Sequence, residues 1–237
     1  MIDLSGLTFT EGVLFTFPDG ASLLPGARTV VIKNQIAFQN QFGIGVPFGG
    51  VFASGSLNNG GETLTLRRAD NTLVRSFAYS NNPPWPTIPD TADHALVLVN
   101  PASNPDHANP LNWRASAAAG GAPGASDTLD YASWKTFYEN PADNLDTDRD
   151  GLTTLVEYYV GGNPLVPDQG LAPTFALEAG NTILLSITRR ADVGGVDLVL
   201  ENSTTLDQWQ PATGVIFFSN VRLSGTPARE RLTFRMP

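Results

Sequence analysis

The chain has 237 residues, among them 23 glycines, 18 prolines and no cysteine, and its 23 acidic against 14 basic residues give a formal charge of −9. That charge repels phosphate backbones, so nucleic acid is not an expected partner; the lack of cysteine removes disulfide frameworks and thiolate-ligated zinc. No apolar run reaches the roughly 20 residues of a transmembrane helix, and the N-terminus MIDLSGLTFTEG has neither the basic segment nor the apolar core of a signal peptide.

In chain order, short strands are predicted at VLFTF (13–17), RTVVIK (28–33), ETLTLRR (62–68), LVRSFAY (73–79) and HALVLVN (94–100). Their β-branched and aromatic content, with the turn signals PDG, LPGA, NNGG and ADNT, fits an antiparallel sandwich or barrel. NQIAFQNQFG (34–43) reads as a short helix with Ile36, Phe38 and Phe42 on its buried side. AAAGGAPGASD (117–127) is small-residue and breaker-rich, as a flexible linker is. Two helical patterns follow, one on Tyr131, Trp134 and Tyr138, the other on Leu152, Leu155, Val156, Tyr159 and Val160. The second stops at Gly161 and Gly162, with Pro164 just beyond. From 172 onward strands return in TILLSITRR, VDLVLENS, GVIFFSN and ERLTFRMP.

The second pattern lies within DNLDTDRDGLTTLVEYYVGGNP (143–164). From Asp146 it matches D-x-D-x-D-G-x-x-x-x-x-E at Asp146, Asp148, Asp150, Gly151 and Glu157. Calcium takes six to eight hard oxygens, which such a loop supplies from carboxylates at positions one, three and five, a carbonyl at seven and a bidentate glutamate at twelve. Position seven is Leu152 and position twelve Glu157; Gly151 makes the sharp turn, Thr154 at position nine is suited to act through a water, and Asp143 lies outside the loop. The bland alternative is an Asp-rich surface turn with Asp150 stabilised at a helix N-terminus. A catalytic role fits poorly, because carboxylates crowded in one loop repel each other unless a cation compensates them. The expected set is therefore a calcium site of Asp146, Asp148, Asp150, the Leu152 carbonyl and Glu157. Leu155, Val156 and Tyr159 are expected to dock the exiting helix, so that the ion orders the junction between two β-regions.

Residues 1–116 resemble the bacterial lamin-tail domain through DLSGLTFTEG (3–12), FTFPDGASLLPGARTVVIKNQIAFQNQFG (15–43), GSLNNGGETLTLRRADNTLVRSFAYSNNPPWP (55–86), ALVLVNP (95–101) and NPLNWRAS (109–116). The resemblance implies an immunoglobulin-like β-sandwich. Such domains usually carry one or two further strands ahead of DLSG, so the chain reads as a fragment that has lost its export signal. The remainder, from YASWKTFYENP to LENSTTLDQW, resembles C-terminal regions of secreted planctomycete- and verrucomicrobia-type proteins, sometimes spore-coat-kinase-like proteins or extracellular hydrolases. A single EF-hand-like loop disfavours a dockerin, which carries two.

The expected architecture is thus mainly β: a lamin-tail-like sandwich (1–116), a linker (117–127), a helix-loop-helix calcium unit (128–165) and a small C-terminal β-region (172–237). The expected function is a non-catalytic calcium-binding accessory module, extracellular or at the cell surface, with a cell-surface polymer or other protein domains as partners. The alternatives are a carbohydrate-binding module using Trp85 or Trp113, and an accessory part of a hydrolase or kinase-like protein. His94 and His107, with Asp90, Asp93 and Asp106, are candidates for a second metal site but lack a ligand spacing. SLNNGGE lacks the lysine and helix of a phosphate loop and reads as a hairpin turn at Asn59, Gly60 and Gly61. No serine, threonine or cysteine nucleophile has an identifiable base.

Overall fold

The computed structural model describes residues 1–87, 89, 93–178, 182–225 and 227–236. It is mainly β, 34% strand and 12% helix, and among the described residues no helix is long and apolar enough to cross a membrane. Two compact units form, one from 1–81 with 120–127, the other from 82–119 with 128–237. The strand read at 94–100 and the tryptophan of NPLNWRAS therefore pack in the second unit. In the stretch read as a linker, Ala117–Ala119 end a strand and the glycine-rich remainder packs in the first unit.

The first unit holds a five-stranded antiparallel sheet in the order Ser54–Gly55, Val13–Thr16, Thr8–Glu11, Thr63–Arg67, Leu73–Ala78. Phe9 stands opposite both Phe15 and Leu66, the cross-strand apolar pairing that holds such sheets. Val30–Ile32 and Phe48–Val51 pair in parallel. A parallel pair needs a crossover, and the helix α1 (Gln35–Phe42), capped by the Asn34 side chain on the Ala37 amide, supplies it. Phe38 packs on Phe42 and Phe48 at ring distances of 5.1 and 6.2 Å. Ile36, expected on the same buried side, is 73% exposed. Residues two apart on a helix do not share a face, so a side that seats Phe38 and Phe42 turns Ile36 to solvent.

The second unit is built on a four-stranded antiparallel sheet, Thr174–Glu178, Thr182–Arg190, Arg229–Met236, Ile216–Leu223 in spatial order. Leu185, Ile187, Leu232 and Phe234 form its buried face. His94–Leu98 pairs with Trp113–Ala119. Of VDLVLENS only Glu201–Asn202 is a strand, paired with Gln210–Pro211; Leu198 and Leu200 still pack on the sheet, so the alternation reflects burial without a ladder. Thr174–Glu178 was not legible because it is an edge strand whose Phe175 and Leu177 are exposed. A buried ionic network crosses the sheet: Glu230 pairs with its cross-strand neighbour Arg189 at 2.8 Å and accepts from the Ala115 amide and Asn220.

The helices α2 (Tyr131–Thr136) and α3 (Thr154–Val160) complete this unit. Asp130 caps α2 on the Ser133 amide. Tyr138 lies past its end yet packs on Trp134 at 4.9 Å. α3 stops at Gly161, which takes the left-handed conformation (φ 79°) that glycine adopts without penalty. Its docking side differs from the expected one: Leu155 and Val156 are 40% and 38% exposed, while Thr154, Glu157, Tyr158 and Val160 are buried. Tyr159 packs against three apolar clusters, as expected of a docking residue. The stripe at i, i+3, i+4 is Thr154, Glu157, Tyr158, and two polar members hid it from hydropathy.

The Tyr158 hydroxyl lies 2.5 Å from the Leu129 carbonyl oxygen and 2.8 Å from that of Gly194, and accepts the Gly194 amide at 2.9 Å. Tyr158→Phe is expected to cost about 1–3 kcal/mol by leaving buried backbone groups unpaired. Leu155→Ala should stay within about 0.5 kcal/mol of wild type, as exposed positions do. Urea titrations of both variants check the contrast, and equal losses would mean that α3 docks by its other side.

Candidate metal centre

The loop entering α3 folds through its own carboxylates. Asp146 accepts the Arg149 amide at 2.8 Å and the Gly151 amide at 3.0 Å; Asp148 accepts from Asp150 at 3.3 Å and Asp150 from Leu152 at 2.8 Å. Such bonds let short acidic side chains make tight turns. The reversal also needs positive φ at Arg149 (67°) and Gly151 (95°), the second at the position where the sequence placed the sharp turn. The loop is tied at its base by the Thr154 amide and hydroxyl on the Leu145 carbonyl and by the Leu155 amide on the Asp143 carbonyl. Asp143 itself takes a 2.6 Å bond from Lys135 and a 2.9 Å bond from Tyr131, which belongs to α2 and not to the loop.

Asp146, Asp148 and Asp150 each present a carboxylate oxygen within 4.8 Å of the others. Leu152, whose carbonyl is the expected fourth ligand, is buried against Val160 and Leu171. Glu157 is 0% exposed, and neither of its oxygens has a hydrogen-bond partner among the described residues. Burial pushes its carboxyl up to about 8, with the neighbouring carboxylates of Asp150, Asp168 and Asp148 adding to the rise. Burial likewise raises Asp148, whose Oδ2 is enclosed without a partner. An isolated buried carboxylate costs several kcal/mol, roughly, unless a cation or hydrogen bonds satisfy it. A donor set of hard carboxylate oxygens fits a hard divalent cation and has no soft ligand for a thiophilic one.

No family model, curated protein or solved structure matches the chain. The N-cap of α3 is Thr153, and Asp150, ahead of the helix, accepts the Leu152 and Asp168 amides.

Asp168 is the acidic residue that the sequence reading missed. Its amide donates to Asp150 at 2.9 Å, and its own Oδ2 accepts the Asn163 amide at 2.7 Å. It falls outside the twelve-residue pattern; the nearby sequence signal is Asn163-Pro164, where the chain turns after α3.

The other candidates separate. His94 contacts the Ser116 carbonyl at 2.7 Å, whereas His107 contacts the Pro105 carbonyl and stands edge-on to Trp113. Asp106 accepts the Ala108 amide, and Asp90 lies outside the described residues. Among the described residues, only Asp146, Asp148 and Asp150 form a metal-capable trio. Trp85 and Trp113 are buried, 8% exposed each, with ring centroids 6.0 Å apart. In SLNNGGE only Gly61 has positive φ (107°), and the turn leads into Thr63–Arg67, which is not paired with the preceding Ser54–Gly55.

Proposed function

We propose that the chain is a non-catalytic, calcium-stabilised accessory module of an exported bacterial protein, with a structural or surface-attachment role. The observation that carries the calcium reading is Glu157, a buried carboxylate without a hydrogen-bond partner beside the carboxylates of Asp150 and Asp148. Asp146, Asp148, Asp150, the Leu152 carbonyl and Glu157 would hold the ion. Bound calcium supplies the positive charge that lets these groups ionise together. The chain's part is to fix the carboxylates: turn bonds preset the aspartates, and α3, anchored by Tyr158 and Val160, carries Glu157.

Export is inferred from the resemblance to secreted proteins and from the setting in which such a loop works, where calcium is abundant and ~10⁻⁴ to 10⁻³ M affinity suffices. The finer fold reading is an immunoglobulin-like, lamin-tail-like sandwich with a helix-loop-helix unit at 128–165. The antiparallel strands between 8 and 78 support its first part, and α2 and α3 on either side of the loop support its second. The carbohydrate-binding alternative loses its two named residues, since sugar stacking needs an exposed ring and Trp85 and Trp113 are buried.

Amide hydrogen exchange tests the structural role. Calcium is expected to slow exchange over 146–160 relative to chelator, because an ion that orders the loop raises its local opening energy. Identical protection in the two conditions would remove the structural role.

A further inference from the structure

We propose that Asp168 is a further carboxylate ligand of this metal centre, so that the ion-binding segment runs from 146 to 168 rather than ending at Glu157. The inference rests on the calcium reading above. Three observations place Asp168 there.

The first is Gly162. A Cβ on this residue would land on Oε2 of Glu157 and 2.9 Å from Oδ2 of Asp168, so both carboxylates crowd the space that a missing side chain leaves. The second is the backbone: the Asp168 amide donates to the same Asp150 carboxylate that belongs to the trio. The third is the turn that delivers it. Asn163 accepts the Leu165 amide on its side chain and the Val166 amide on its carbonyl, while its own amide holds Asp168. Fully buried Pro164 pins the chain before Asp168, and Leu171, packed with Leu152 and Val160, pins it after.

The Asp168 and Glu157 carboxylates thus share one space, next to the Asp150 carboxylate that the Asp168 amide holds. Like charges held together by backbone bonds repel each other unless a cation lies among them. With a cation there, the added carboxylate tightens the site, because ligand charge count and rigidity set calcium affinity. The segment 161–168 then becomes a strap that the ion fastens to α3.

The test uses the full chain and calcium itself. Isothermal titration with Asp168→Asn, which keeps shape and loses charge, is expected to show calcium binding weakened by ~10- to 100-fold, the range for residues that support a metal site. Terbium, placed in the site and excited through Tyr158 and Tyr159, reports bound waters by its luminescence lifetimes in H₂O and D₂O; Asp168→Ala should gain at least one water over wild type. An unchanged hydration number overturns the ligand assignment whatever the affinity does. If wild type binds calcium and both variants match it, only the role of Asp168 falls; if wild type binds no calcium, the metal centre falls with it.

Discussion

Glu157→Gln is expected to abolish the calcium-dependent rise in thermal stability. A ligand present at a hundredfold its dissociation constant stabilises the fold that binds it by about 2.7 kcal/mol. For a chain of this size that is a midpoint shift of roughly 5–10 °C. The variant should show none of it, because Glu157 is the one deeply buried carboxylate of the set and glutamine brings neither its charge nor its second acceptor. In chelator the order changes: the variant should melt with wild type or above it, since it has no charge to bury. Asp146 and Asp150 would not give this crossover, being half-buried with both carboxylate oxygens bonded to backbone amides. A Glu157→Gln chain that keeps its calcium-dependent shift would show that Glu157 does not hold the ion.

Glu230→Ala is expected to cost about 3–5 kcal/mol, the loss on removing one partner from a buried ion pair. Glu230 is 1% exposed and Arg189 2%, and the guanidinium's other bonds go to the Leu111 and Trp113 carbonyls, which do not neutralise it. The variant also strips a partner from the Ala115 amide and from Asn220. All four tryptophans lie in the second unit, so fluorescence during urea unfolding follows that unit alone. Replacing Arg189 and Glu230 together by apolar side chains should recover the part of the loss that comes from the stranded Arg189, while the Ala115 amide, Asn220 and Arg222 still lose their partner. A loss below about 1 kcal/mol in Glu230→Ala would mean that water reaches Arg189.

The strands at 13–16, 30–32, 63–67, 73–78 and 182–190 were legible because each presents β-branched or aromatic residues between strong turn signals. Val196–Leu200 misled for a physical reason: Leu198 and Leu200 are half-buried at alternate positions, yet neither lies in a strand, Leu200 only accepting the Ala212 amide beside the short pair that follows, and hydropathy does not distinguish the cases. Loop 146–157 was legible residue by residue because the spacing of its carboxylates is local in sequence. What α3 buries was not. Its inward stripe carries Thr154 and Glu157, residues that a solvent-facing side would also carry, and only the tertiary structure shows Glu157 enclosed. Asp168 was hidden for a related reason, since it reaches the site through a turn that no spacing rule describes.

Calcium titrated into the chelator-treated full chain by calorimetry decides whether 146–157 is a metal centre at all. One ion per chain is expected, at a dissociation constant of ~10⁻³ M or tighter, with the heat lost in Glu157→Gln. No binding heat up to about ten times that concentration, in a chain that remains folded, would leave the buried Glu157 without the cation assigned to it and would contradict the calcium reading.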